Sequence, residues 1–128
     1  MVVEMPNILY VEDDQVNRTL MAEIFFETGD MNLILAASGG EALDLAASEN
    51  IDVVITDIRL PETDGYEILR ALKASPKTRK VPVIALSALA MREDLERGQS
   101  AGFSAYITKP MDVDNMIDTV RKCCAGKI

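Results

Sequence analysis

Five short apolar segments alternate along the chain with five helical patterns, and this alternation constrains the fold more than any other feature of the sequence. The predicted strands span residues 7–11, 31–37, 51–57, 81–86 and 103–108. The predicted helices span residues 15–27, 38–49, 65–74 and 91–101, and a last helix begins at about residue 113 and ends near Gly126. Alternating strands and helices with short links fold as crossovers between parallel strands. The sequence therefore predicts an α/β fold, with one parallel sheet and helices on both faces.

The third predicted strand carries the strongest functional signal. Its apolar, β-branched residues indicate a strand that is buried on both faces, and it ends on the carboxylate of Asp57. A turn sequence, Pro-Glu-Thr-Asp-Gly, follows at residues 61–65. Open α/β sheets bind their ligands at the carboxyl ends of the strands. Asp57 is therefore a candidate functional residue; the competing interpretation is that it only caps the turn.

Apolar residues at helical spacing predict which helix faces are buried. For the first helix the predicted face is Val16, Leu20 and Ile24, widened by Met21 and Phe25. For the third helix it is Tyr66, Leu69 and Leu72, and for the last helix it is Met116, Ile117, Val120 and Cys124.

Length, charge and composition exclude several classes of protein. The 128 residues suit one domain, and the net charge of −8 argues against nucleic acid or an anionic membrane as a partner. No apolar run approaches the ~20 residues that span a bilayer, and residues 1–6 lack the layout of a secretory signal, so we expect a cytoplasmic protein. The absence of histidine excludes histidine-ligated metals and a phosphohistidine carrier.

Polar side chains follow four of the five predicted strands and are expected to meet at one edge of the sheet. They are Glu12, Asp13, Asp57, Ser87 and Lys109. Three clustered carboxylates without histidine or cysteine favour Mg²⁺ as their cation. An open metal position beside a hydroxyl and an ammonium suits a phosphate. The pattern predicts nucleophilic attack by Asp57 on phosphorus, giving an aspartyl phosphate.

Four short motifs resemble the receiver domains of two-component response regulators. These are Val-Glu-Asp-Asp at 11–14, Leu-Pro-x-x-Asp-Gly at 60–65, Ser-Ala at 87–88 and Ala-Tyr-Ile-Thr-Lys-Pro at 105–110. The resemblance covers about residues 7–124 and is to single-domain regulators of the chemotaxis and cell-division type. It implies a doubly wound (βα)5 fold with the flavodoxin-like strand order 2-1-3-4-5. It also implies one receiver domain over 1–128 with no output domain, present as a monomer or weak dimer.

The resemblance implies a role for each residue of the cluster. Asp57 would accept a phosphoryl group from a histidine kinase or a histidine phosphotransfer protein. The Mg²⁺ ligands would be Glu12, Asp13, Asp57 and the backbone carbonyl of Arg59. Ser87 and Lys109 would bind the phosphoryl group. The protein would promote its own phosphorylation and dephosphorylation, but chiefly act as a signalling switch in a phosphorelay.

Two residues resemble the switch of the family. Phosphorylation would draw Ser87 inward and let Tyr106 turn in, which changes the surface offered to a downstream protein target. The competing interpretation of Tyr106 is an edge aromatic that packs on the sheet. Lys109-Pro110 matches the family's cis peptide.

Other functions use similar folds or similar residues. A flavodoxin-like FMN carrier needs a phosphate-binding loop where this chain has three acids, and a haloacid-dehalogenase-type phosphatase needs an aspartate where it has Arg59. Two hypotheses stay open: a module that binds partners independently of phosphorylation, and a receiver excised from a hybrid histidine kinase.

Overall fold

Five strands and five helices alternate along residues 5–127, the part of the chain that the computed structural model describes. The strands are β1 (Asn7–Val11), β2 (Asn32–Ala36), β3 (Val53–Asp57), β4 (Val83–Ser87) and β5 (Ala105–Thr108). The helices are α1 (Gln15–Thr28), α2 (Gly39–Ser48), α3 (Gly65–Ala74), α4 (Arg92–Ala101) and α5 (Val113–Cys124). Every predicted element is present, and the predicted domain core 7–124 lies within the described range. Residues 1–4 and 128 of the predicted domain lie outside it.

The strands form one parallel sheet in the order β2-β1-β3-β4-β5. This confirms the predicted α/β class, the doubly wound (βα)5 fold and the strand order 2-1-3-4-5. β3 is shorter than predicted because its pairing with β1 begins at Ile8 and Val53, so Ile51 extends beyond the first residue of β1. The carboxyl ends of the strands stay level with one another: Val11 pairs with Thr56, and Ser87 pairs with Thr108.

Alternate strand residues face two separate cores, one on each side of the sheet. Ile8, Ile55 and Leu86 pack with α1 and α5 on one face. Leu9 and Val54 pack with α2 and α3 on the other face. The central strand β3 is buried along its whole length, as its apolar sequence predicts.

The buried face of α1 differs from the predicted one. Met21 and Phe25 are buried and Ile24 is half-buried, but Val16 is 75% exposed and Leu20 is 52% exposed. The apolar stripe on α1 is wider than the line along which the helix contacts the sheet. That contact follows Met21 and Phe25, one turn apart on the same face. The prediction that Val16 and Leu20 are buried is therefore wrong.

The buried face of α5 is also shifted by one residue at its end. Met116, Ile117 and Val120 are buried as predicted, but the cysteine in the core is Cys123, and Cys124 is exposed. Steps of four and three residues from Met116 through Val120 to Cys123 keep one helix face, whereas Cys124 lies about 100° further round. The predicted face of α3, with Tyr66, Leu69 and Leu72, is buried.

The described helices are all too short or too polar to span a lipid bilayer.

Candidate functional site

The carboxyl edge of the sheet brings together the residues that the sequence singled out. Asp57 is the last residue of β3 and Ser87 is the last residue of β4, while Glu12 follows β1 and Lys109 follows β5. β3 lies between β1 and β4, so Asp57 occupies the middle of this edge. The level strand ends therefore place the other three side chains around Asp57.

Three carboxylates form a cluster at this edge. Glu12, Asp13 and Asp57 each offer an oxygen, and these oxygens lie within 4.8 Å of one another. Glu12 is 2% exposed and Asp57 is 6% exposed, whereas Asp13 is open to solvent. Like charges at this spacing repel, and burial strengthens the repulsion because the local dielectric constant is low. The cluster therefore needs a cation.

Lys109 supplies one positive charge to the cluster. Its Nζ lies 2.8 Å from Asp57 Oδ1 and 3.8 Å from Glu12 Oε1. The Lys109-Pro110 peptide that follows is cis, as the resemblance implies. One ammonium against three carboxylates leaves a net negative charge, so the site retains the capacity to bind a further cation.

Glu12 is held by groups that the sequence did not indicate. Tyr10 Oη donates to Glu12 Oε1 at 3.3 Å, and Asn17 Nδ2 donates to the same oxygen at 3.0 Å. The side chain of Arg18 donates to the Glu12 carbonyl at 2.8 Å. The available signals were weak: Tyr10 lies two residues before Glu12 on the same strand face, and Asn17 lies in the first turn of a helix that Asp14 caps.

The pKa values of the two buried carboxyls, Asp57 and Glu12, are shifted in opposite directions. Burial and the adjacent Glu12 raise the pKa of Asp57 to about 7, against the opposing effect of Lys109. Burial also disfavours the charged form of Glu12. The pKa of Glu12 is nevertheless lowered. Glu12 accepts hydrogen bonds from Asp57, the Asp14 backbone and Asn17, and it lies near the positive charge of Lys109, and these effects outweigh that of burial. Of the two carboxyls, Asp57 is therefore the one that takes up a proton as the pH falls below about 7, and a bound cation would oppose that protonation.

The turn after β3 holds Asp57 in place. The Gly65 N–H donates to the Ile58 carbonyl at 2.7 Å, which brings the start of α3 back against the end of β3. A Cβ at Gly65 would lie 2.8 Å from the Asp57 carbonyl oxygen. A glycine is therefore required at this close approach.

A cavity of about 310 Å³ opens beside Asp57. Arg59, Ser87, Leu89 and Lys109 line it together with Asp57. The hydroxyl of Ser87 is buried and accepts a hydrogen bond from the Leu89 N–H at 3.1 Å. The cavity adjoins the carboxylate, the hydroxyl and the ammonium, which is the arrangement that a tetrahedral anion requires.

Tyr106 lies next to this cavity on β5. Its ring is half-buried, and its hydroxyl donates to the Leu89 carbonyl at 2.9 Å. The backbone of Leu89 therefore links Ser87, through its N–H, to Tyr106, through its carbonyl. The roles that the resemblance gives to these residues stay predictions, but the structure places all of them around one site.

The sequence model of the response regulator receiver domain matches residues 8–121. The chain belongs to this family. The polar-differentiation response regulator DivK of Brucella ovis is 39% identical over 115 residues, which cover 90% of this chain and 93% of DivK. The chain is thus a receiver domain of the two-component signalling type, and such domains interact with histidine kinases or phosphotransfer proteins and with downstream targets.

Solved receiver domains have the same fold. The receiver domain of Francisella response regulator 1452 is 32% identical, with a TM-score of 0.87 over 96% of this chain and 99% of that one. The receiver domain of the sensor histidine kinase PA1611 from Pseudomonas aeruginosa is also 32% identical, with a TM-score of 0.85 over 95% of this chain and 99% of that one. That structure holds a magnesium ion in its active-site cleft.

Proposed function

We propose that this receiver domain accepts a phosphoryl group on Asp57 from the phosphohistidine of a histidine kinase or phosphotransfer protein, and then signals to a protein target. The observation that carries the proposal is the position of Asp57. It lies in a carboxylate cluster and in contact with Lys109 at 2.8 Å, and it lines a cavity with a buried hydroxyl.

The donor atoms at the site fit Mg²⁺. Three carboxylate oxygens lie within 4.8 Å of one another, and hard cations prefer oxygen ligands. Glu12, Asp13, Asp57 and the carbonyl of Arg59 would hold the ion, which supplies charge neutralisation for phosphoryl oxygens when bound. The magnesium-containing PA1611 receiver supports this assignment.

Phosphoryl transfer to Asp57 needs few other groups. A carboxylate oxygen of Asp57 bonds to phosphorus while the phosphorus–nitrogen bond of the donor breaks and its electron pair returns to the imidazole. Lys109 would neutralise the oxygens of the transferred group, and the Ser87 hydroxyl would donate a hydrogen bond to one of them. Donation to a phosphoryl oxygen would turn Ser87 and alter its link to Tyr106.

A groove beside the site suits the phosphodonor. Leu20 of α1 and Val113 of α5 line it with Met111, and it extends to Lys109. Leu20 is 52% exposed and Val113 is 41% exposed. A donor protein that packs on these apolar side chains would bring its phosphohistidine to the cavity beside Asp57.

The proposal predicts that Asp57→Asn abolishes labelling while the protein stays folded. The purified protein would be incubated with Mg²⁺ and acetyl phosphate, or with a phosphorylated donor, and intact mass would report the added phosphoryl group. Asp44→Asn, which changes an exposed acid on α2, is the matched control and should label like wild type. Labelling of folded Asp57→Asn at the wild-type rate, or no labelling of wild type, would contradict the proposal. The second result would favour a module that binds partners independently of phosphorylation.

A further inference from the structure

Helix α4 is fixed to the domain chiefly at Gly98. Of the ten residues of α4, all of them described, Gly98 alone is buried. Next to it, the Arg97 guanidinium lies 4.1 Å from the centre of the Tyr66 ring, a contact that water reaches because Arg97 is exposed. The position of α4 therefore depends on what packs against Gly98.

The group that packs against Gly98 is the ring of Tyr106. A Cβ added at Gly98 would lie 2.7 Å from Tyr106 Cδ2 and 3.1 Å from Tyr106 Cε2. Even a methyl group at this position excludes the ring from its place. We call the space beside the Gly98 backbone that the Tyr106 ring occupies, next to Phe103, the Gly98 hollow.

Helix propensity makes a glycine at this position costly. A glycine inside a helix is less favourable than alanine, because its backbone loses more conformational freedom on folding. Gly98 is not among the residues with positive φ, so backbone conformation does not require glycine there. The close approach of the Tyr106 ring is the structural reason for it.

The ring in the Gly98 hollow is connected to Ser87 through one backbone residue. Tyr106 Oη donates to the Leu89 carbonyl at 2.9 Å, and the Leu89 N–H donates to Ser87 Oγ at 3.1 Å. A change at Ser87 therefore reaches Leu89 first, then the Tyr106 hydroxyl, and finally the ring against α4.

We propose that Gly98 is a positioning residue for Tyr106. The Gly98 hollow admits the phenol ring, and its occupation ties the position of α4 to the state of Ser87. This inference rests on the proposed phosphorylation of Asp57 only for the event that triggers the change. The hollow itself and its effect on the ring are properties of the unmodified protein.

The first test uses Gly98→Ala without any phosphodonor. With tyrosine rings labelled with ¹³C and the Tyr106 signal assigned from Tyr106→Phe, Gly98→Ala should move the Tyr106 signal and leave that of Tyr10 in place. Tyr10 is 2% exposed and lies in the opposite core, so it reports any general loss of folding. An unmoved Tyr106 signal in the folded variant would overturn the proposal.

Urea unfolding supplies an independent test, based on whether Gly98→Ala raises or lowers the urea midpoint. In a Tyr106→Ala background the hollow is empty, so Gly98→Ala should raise the urea midpoint by helix propensity alone. In the wild-type background the same substitution should lower the urea midpoint or fail to raise it.

Gly40→Ala is the matched control, since Gly40 is a helical glycine whose added Cβ meets nothing within 4 Å. An equal rise for Gly98→Ala in both backgrounds would overturn the proposal. If the single variant Gly98→Ala does not fold, folding of the double variant with Tyr106→Ala would support the proposal.

The last test measures whether the Gly98 hollow couples the state of Asp57 to the position of α4. On addition of beryllofluoride with Mg²⁺, backbone amide signals of α4 should shift in wild type. In Gly98→Ala the signals next to Asp57 should shift as before, while the α4 shifts fall to less than half. Full α4 shifts in Gly98→Ala would overturn the coupling. If beryllofluoride leaves the signals next to Asp57 unshifted in wild type, the result would count against the proposed function. The role of Gly98 would then be decided by the two tests on the unmodified protein.

Discussion

Asp57 shows at the scale of one residue how burial at the end of a strand changes the pKa of a carboxyl. Burial and the neighbouring Glu12 raise the pKa of Asp57 to about 7, while Lys109 stays in contact at 2.8 Å. The same burial that makes the ionised carboxylate costly excludes water from the oxygen that we propose as the phosphoryl acceptor. A cation held by the cluster would relieve the repulsion and favour the ionised form of Asp57.

The raised pKa of Asp57 predicts a pH dependence of stability in EDTA. A carboxyl whose folded-state pKa lies above its ordinary value of 3.8 stabilises the fold fully below that value and loses this contribution as pH rises through about 7. The lowered pKa of Glu12 acts in the opposite sense, but at pH values below its ordinary value of 4.5. Wild type should therefore lose roughly 1 kcal/mol of unfolding free energy per pH unit between about pH 5 and 7.

Thermal or urea unfolding across this range would measure the slope. Asp57→Asn should flatten it, whereas Asp44→Asn on α2 should keep it. A wild-type slope that survives in Asp57→Asn would show that another group titrates.

Helix α1 shows at the scale of an element how one segment can pack on the sheet and still leave apolar residues exposed beside the site. Asp14 caps it by accepting from the Val16 and Asn17 N–H groups, directly after the acidic pair of the site. Met21 and Phe25 anchor it to the sheet, and Val16 and Leu20 are left exposed. The exposed pair lies beside the site because the helix begins there.

We predict that Leu20→Asp weakens transfer from a phosphodonor protein and spares transfer from acetyl phosphate. Burying a leucine side chain contributes about 1.5 kcal/mol or more, so transfer at limiting donor should fall roughly tenfold. Stability should change little because Leu20 is 52% exposed. Rates with both donors would be compared by intact mass.

Phe26→Asp is the matched control for Leu20→Asp. Phe26 is 87% exposed and lies on the same helix, but it lines a different groove, beside β2. It should keep the wild-type rate with both donors. An equal loss in the two variants would argue against the groove between α1 and α5 as the donor surface.

At the scale of the whole molecule, the fold places a cluster of carboxylates at one edge of a sheet whose two faces are buried. Two cores enclose the sheet, and the site lies where the carboxyl ends of its strands meet. The net charge of −8 adds to the repulsion of the carboxylate cluster. Binding of a cation at the site should therefore stabilise the whole domain.

We predict that Mg²⁺ raises the melting temperature of wild type by several degrees. Saturation at 100 times the dissociation constant contributes about 2.7 kcal/mol. Asp13→Asn should lose most of this increase, and in EDTA it should melt higher than wild type because it removes one repelling charge. Calorimetry with and without Mg²⁺ would measure both effects. A lower melting temperature of Asp13→Asn in EDTA would contradict the repulsion argument, and Asp44→Asn should show the full Mg²⁺ increase.

The sequence by itself determined the class of fold and the composition of the site. Strand and helix periodicities are local properties, and parallel strands bring their carboxyl ends to one edge, so Glu12, Asp57, Ser87 and Lys109 could be predicted to meet. The strand order came from the resemblance, not from periodicity. The cytoplasmic location, the absence of an output domain and the oligomeric state stay predictions.

Only the tertiary structure decided which apolar residues are buried and which groups support the site. Val16 and Leu20 have the spacing of a core face, yet the helix contacts the sheet along Met21 and Phe25. The fit of Tyr106 against Gly98 joins residues eight positions apart on different elements. No periodicity encodes such a contact, because it depends on the distance between two packed backbones rather than on the order of residues along one of them.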